Sequence, residues 1–220
     1  MLFRSVDISG SKNAALPLLA ATACVNGVTV LKNVPRLSDT ITMCSILEYL
    51  GARVTFEGNT VTVDATTLVS KPIPHELVSR LRGCIVLLGP LLARFGHVEM
   101  SYPGGCVLGK RPIGSNIDVF TQLGIDNEST SNKLSLRGSF KKGARTNAEF
   151  SVTGTESILL ALALQQGSTT IDLCALEPHV QDVCRFLEER GVRIISDGPH
   201  ALTVHGTGSL LPPGEFTVRG

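Results

Sequence analysis

Apolar and polar positions follow one recurring order along this 220-residue chain. An apolar run of helical length and a glycine lead into a short alternating run and a polar loop. A second helical run, another glycine and two alternating runs follow, and the whole order occurs three times. Its second half reads LEYLGARVTFEGNTVTVD at 47–64, TQLGIDNESTSNKLSLR at 121–137 and LEERGVRIISDGPHALTVH at 187–205. Each is a helix end, a glycine, a strand, a turn and an alternating strand. Gly51, Gly124 and Gly191 lie 73 and 67 residues apart and hold the place of a left-handed cap just past a helix. In the first half, apolar helices end at Gly27, Gly96 and Gly167, at spacings of 69 and 71. Strands are predicted at 28–31, 98–101 and 169–173, followed by the loops NVPRLSDT, YPGGCVLGKRPIGS and CALEPHVQD.

The order per unit is β-α-β-α-β-β, with 4–8 and 149–152 as candidate opening strands for units one and three. Repetition at this period argues against an independent dinucleotide-binding or P-loop domain. Each unit is too small to bury its own helices. The expectation is one α/β (α+β) domain over 1–220, with repeats at roughly 4–66, 72–138 and 149–206.

Composition narrows the function classes. Hydrophobic residues make up 43% and charged ones 18%, as in globular domains. A net charge of +1 and the absence of Trp give no bulk attraction to nucleic acid or membrane. No apolar run is long enough to span a bilayer, and residues 1–10 lack the apolar core of a signal peptide. The six cysteines form no C-x-x-C pair and no zinc pattern, so no metal is expected and a reducing compartment is.

The loop at 102–115 is the richest in chemistry. Residues 104–110 spell G-x-x-x-x-G-K, but Arg111 stands where a P-loop needs the Ser or Thr that holds magnesium. Without the P-loop, Gly104 and Gly105 allow close backbone approach to a ligand. Lys110 and Arg111 would favour a thiolate at Cys106, and Arg111 suits bidentate phosphate binding. The local pattern leaves open whether Cys106 is reactive or an inert buried thiol. Three helix starts carry polar groups able to meet an anion: Lys12 and Asn13, Arg80 and Arg82, and Ser151 to Glu156. Ordinary capping accounts for Ser151 equally well, and one of the two arginines is expected to be plain surface. Glu177 lies in the last loop.

SKNAALPLLAA at 11–21, GPLLARFG at 89–96, PGGCVLGKRP at 103–112 and EPHVQDVCRFLEERG at 177–191 resemble the UDP-N-acetylglucosamine enolpyruvyl transferases, nearly along the whole chain. The resemblance implies an inside-out α/β barrel of three such repeats. It implies transfer of enolpyruvyl from phosphoenolpyruvate to the sugar 3-hydroxyl with release of phosphate, the first committed step of peptidoglycan synthesis. A cytoplasmic enzyme without a cofactor, open to the epoxide fosfomycin, is implied as well. By motif, Cys106 matches the proton donor and Lys12 the catalytic phosphoenolpyruvate-binding lysine, with Asn13 beside it. Arg82 and Arg111 match phosphate-binding arginines. Pro112, Ile113, Gly114 and Ser115 follow the uridine diphosphate, and Ser151 and Val152 contact it; Glu177, outside these matches, is a further site candidate whose ordinary reading is a solvated loop carboxylate.

Gly114, Ser115 and Asn116 depart from the family's Asp-Leu-His, and Thr153-Gly154 from its Gly-Ala. Glu149 stands where some members carry a cation. Family members are about twice as long, so a complementary second domain is the expected partner. The alternative is a non-catalytic sugar-nucleotide-binding or regulatory module, or an inactive fragment.

Overall fold

The computed structural model describes residues 8–104 and 113–220. Unit one contains α1 (Lys12–Ala21), continued by a 3-10 turn (Thr22–Cys24), then β1 (Val28–Lys32), α2 (Ser38–Tyr49), β2 (Arg53–Glu57) and β3 (Thr60–Asp64). Unit two contains α3 (His75–Val78), a 3-10 segment (Arg82–Leu87) running into α4 (Leu88–Phe95), β4 (His97–Ser101), α5 (Gly114–Thr121), β5 (Asp126–Asn127) and β6 (Lys133–Arg137). Unit three contains β7 (Arg145–Asn147), α6 (Val152–Ala163), β8 (Gly167–Asp172), α7 (Pro178–Glu188), β9 (Arg193–Ser196) and β10 (Leu202–Gly206), followed by β11 (Gly214–Thr217).

Each unit builds one sheet, in the orders β11-β1-β3-β2, β4-β6-β5 and β7-β8-β10-β9. The last two strands of a unit form a hairpin, whose second strand lies antiparallel to the unit's first long strand. Alternation sets the register. In β3, Val61 and Val63 are buried while Thr60, Thr62 and Asp64 are half exposed. The inner faces carry Leu31, Val98, Met100, Leu134, Leu136, Ile171 and Val204, all buried.

The helices lie inside. Residues 14–21 of α1 and 154–163 of α6 are buried on every side, as the unbroken apolar runs at 14–21 and 158–163 require. The result is an inside-out barrel with sheets as its outer wall. The six glycines singled out by the repeat have positive φ: +131° at Gly27, +100° at Gly51, +73° at Gly96, +87° at Gly124, +108° at Gly167 and +91° at Gly191. Among the described residues no helix is long and apolar enough to cross a membrane.

The candidate opening strand at 149–152 requires correction, while the one at 4–8 falls largely on residues outside the described part. In unit three the strand is β7, parallel to β8, and not 149–152. Glu149 and Phe150 have φ of 51° and 56°, which turns the chain out of extended geometry before α6. In unit one the place beside β1 is taken by β11, pairing in parallel from the other end of the chain. Residues 4–7 lie outside the described part. In unit two a single parallel bridge between Ile73 and Met100 fills the same place.

The units are joined at close range. Arg94 on α4 donates to the carbonyls of Ala23 (2.9 Å), Val25 (3.1 Å) and Ala65 (2.9 Å), tying unit two to unit one. Gly89 lets α4 meet α6: its N–H donates to Ser157 Oγ at 2.9 Å, and a Cβ there would stand 1.8 Å from the Ser157 carbonyl oxygen. Gly89→Ala is therefore expected to destabilise the fold by about 3 kcal/mol through forced separation of these helices, read as a lower urea midpoint at unchanged slope.

Candidate functional site

A helix buried on all sides can offer polar groups only at its ends, and here the starts are used. A cleft of about 770 Å³ is lined by the first residues of six helical segments. Lys12 and Asn13 come from α1, Asp39 from α2, Arg82 and Gly83 from the 3-10 segment before α4, and Ser115 and Asn116 from α5. Val152 and Thr153 come from α6 behind its cap Ser151, and His179 from α7 behind its cap Glu177. Helix N-termini carry unsatisfied N–H groups and positive partial charge, so their convergence favours an anionic ligand. Lys12, Arg80 and Arg82 add full positive charge at the same place.

Several polar groups of the cleft bond to neighbours. Lys12 Nζ donates to Asp39 Oδ2 at 2.9 Å, both partly solvated. Ser151 Oγ accepts from the N–H of Gly154 at 3.1 Å, so this residue caps α6 as well as lining the cleft. Thr153 Oγ1 donates to Asn116 Oδ1 at 2.6 Å. Two of the positions that depart from the enolpyruvyl transferase pattern thus bind each other and lock the start of α5 to the start of α6.

Glu156 differs from its neighbours. It is 3% exposed, its Oε1 has no hydrogen-bond partner, and His179 Nε2 stands 4.0 Å away. Burial, and secondarily the charge of Glu177, pushes its carboxyl up to about 8.

Of the residues predicted from sequence, Lys12, Asn13, Arg82, Ser115, Ser151, Val152 and Glu177 all line this cleft. Ile113 and Gly114 stand at the start of α5, where Ser115 and Asn116 reach the cleft. Cys106, Arg111 and Pro112 lie outside the described residues. Both Arg80 and Arg82 border the cleft, Arg80 exposed and Arg82 half buried. Asp39 and His179 escaped the sequence reading, Asn116 entered it only as a departure from the family pattern, and Thr153 and Glu156 only as members of the polar helix start at 151–156. The one signal for Glu156 was a carboxylate set against the apolar run that forms α6.

The model for EPSP synthase (3-phosphoshikimate 1-carboxyvinyltransferase) matches residues 2–220. The chain belongs to the EPSP synthase family. Within that family it is 42% identical over 209 residues to a UDP-N-acetylglucosamine 1-carboxyvinyltransferase of Dichelobacter nodosus, covering 94% of this chain and 50% of that protein. A protein of the same name from Campylobacter fetus is 40% identical over 212 residues, covering 96% and 51%. The chain spans about half the length of these curated relatives. Among solved structures, the enolpyruvyl transferase NikO from Streptomyces tendae superposes with a TM-score of 0.84 at 26% identity, over 99% of this chain and 52% of that one. An EPSP synthase of Acinetobacter baumannii, at 18% identity and a TM-score of 0.72 over 97% and 49%, shares the fold. The inside-out barrel implied by the resemblance, built on the three repeats, is therefore an EPSP synthase family domain.

The raised carboxyl of Glu156 has a consequence for stability. In the unfolded chain it ionises near the ordinary glutamate value of about 4.3. Between that pH and about 8 the folded chain holds the extra proton. Stability must then fall as pH rises through this window and level off above it. Glu156→Gln is expected to remove the slope, gaining more over the wild type at pH 8 than at pH 5, as thermal melts at the two pH values would register.

Proposed function

We propose that this chain is one catalytic half of a UDP-N-acetylglucosamine enolpyruvyl transferase. It would move the enolpyruvyl group of phosphoenolpyruvate to the 3-hydroxyl of the sugar nucleotide and release phosphate, in the cytoplasm, at the first committed step of peptidoglycan synthesis. The observation that carries this reading is the cleft of converging helix starts with Lys12, Arg80 and Arg82, in a family whose relatives at about 40% identity bear that name.

Both substrates carry phosphate, and the cleft is built for anions. Lys12 and Arg82, with Arg111 from the 105–112 segment, hold phosphate groups. Lys12, held by Asp39 until ligand arrives, must leave that carboxylate to do so. Asn13 offers an amide to the sugar or the transferred group. Pro112, Ile113, Gly114 and Ser115 run along the diphosphate, with Ser151 and Val152 at the start of α6 and Glu177 at the rim. Cys106 supplies the proton that turns the phosphoenolpyruvate methylene into a methyl as the sugar oxygen bonds to the adjacent carbon, and departure of phosphate with loss of a methyl proton restores the enolpyruvyl group on the sugar. A complementary domain closes the other side of the cleft.

Mixed with the C-terminal half of the Dichelobacter nodosus relative and both substrates, the chain is expected to release phosphate. Lys12→Ala or Cys106→Ser would lower that release by about a hundredfold or more, within the range for an acid–base group. Absence of phosphate while the full-length relative turns over would overturn the reading.

The cysteines give a second test. Cys24, Cys44, Cys84, Cys174 and Cys184 are buried, and burial pushes each thiol up to about 12. With those five inert, iodoacetamide at neutral pH is expected to add one group per native chain, at Cys106. Intact mass with a Cys106→Ser control reads the result, and labelling of all six at similar rates would count against a poised thiol.

A further inference from the structure

The polar side chains at the start of α6 are accounted for one by one, except Glu156. Ser151 caps the helix and Thr153 bonds Asn116. Thr155 Oγ1 donates to the Ser151 carbonyl at 2.8 Å and accepts from the Ala175 N–H at 3.1 Å. Ser157 Oγ accepts from Gly89 and donates to the Val86 carbonyl at 3.3 Å. Glu156 alone in this run holds a buried polar atom with no partner, and it holds it on the cleft wall. A buried carboxyl without a hydrogen bond costs stability, and the fold has no evident use for one beside the apolar Ile158–Leu160 stretch of the same helix.

Charge in the cleft is also divided by unit. The cations Lys12, Arg80 and Arg82 come from units one and two, and Asp39, the carboxylate among them, is held by Lys12. Unit three brings Glu156, Glu177 and His179 and no Lys or Arg. Among the described residues no three His, Cys, Asp or Glu side chains are grouped to hold a metal ion. The 4.0 Å gap between His179 Nε2 and Glu156 Oε1 exceeds a hydrogen bond, so His179 leaves the carboxyl unpaired.

We propose that Glu156, with His179 beside it, is a ligand contact of this cleft that receives hydroxyl and amide N–H groups of the sugar, while the cations of units one and two take phosphate. This rests on the sugar-nucleotide reading and adds to it a residue that recognises the uncharged part of the ligand. Burial keeps the Glu156 carboxyl protonated near neutral pH, so it both donates to and accepts from a hydroxyl without burying a bare charge.

Calorimetry on the full chain with UDP-N-acetylglucosamine and with UDP separates the contributions. Glu156→Leu is expected to weaken UDP-N-acetylglucosamine binding by about tenfold, the worth of one buried hydrogen bond, and to leave UDP binding unchanged. Glu156→Gln, which still donates and accepts, keeps most of the affinity. Equal loss for both ligands, or no loss for either, overturns the proposal. Should Glu156→Leu fail to fold, infrared difference spectra decide. Adding UDP-N-acetylglucosamine to the wild type must shift a protonated carboxyl stretch that Glu156→Gln lacks, and an unshifted band overturns the proposal. Wild-type binding of UDP-N-acetylglucosamine without these effects sinks the Glu156 contact alone, whereas no wild-type binding of either ligand sinks the sugar-nucleotide reading with it.

Discussion

The architecture depends on helices that have no face turned to water. Because α1 and α6 are buried on all sides, neither can carry a charged or hydrogen-bonding side chain along its length without a cost in desolvation. Function is thereby confined to helix ends, and the repeat multiplies one end six times. Backbone N–H groups that would otherwise need capping become the floor of a cleft. The sheets serve mainly to shield these helices and to set where each one begins.

The same constraint explains how three small units act as one body. None could bury an all-apolar helix alone, so each supplies the others with cover. The contacts that make this work engage the backbone directly. Arg94 reads three carbonyls of unit one, and Gly89 brings its backbone against that of Ser157. Such joints fix unit-to-unit distances more tightly than side-chain packing would. The cleft assembled from all three units inherits that rigidity, and the Asn116–Thr153 bond adds a last tie between α5 and α6 at its edge.

Much of the fold was legible because it is written in local patterns. Positive-φ glycines, alternating strands and apolar helical runs are properties of neighbouring residues, and the repeat let each unit check the others. What escaped was non-local. Nothing in the composition of 214–217 says that it pairs with β1, since parallel partners share no turn and no register signal. The left-handed Glu149 and Phe150 are equally silent, because neither residue type announces that backbone. At the site, residues in motifs were found, while Asp39 and His179 were missed because each is an ordinary first-turn residue until the helices converge. Glu156 looked like one more polar residue at a helix start, and only its burial sets it apart.

The pairing of β11 with β1 bears on how the chain is made. The first sheet cannot be completed until a strand some 185 residues later in the chain has left the ribosome. Until then β1 keeps an open edge able to pair with another chain. Around the same seam, the Ser11 N–H donates to the Arg219 carbonyl and the Val218 N–H to that of Lys32. Synthesis from one end therefore leaves unit one waiting longest for its last partner, although it emerges first. Units two and three find their parallel partners just upstream and can close as they appear. Changes near residue 215 should thus be felt at the far end of the sequence, as misassembly of a nascent intermediate more than as a weakened native state.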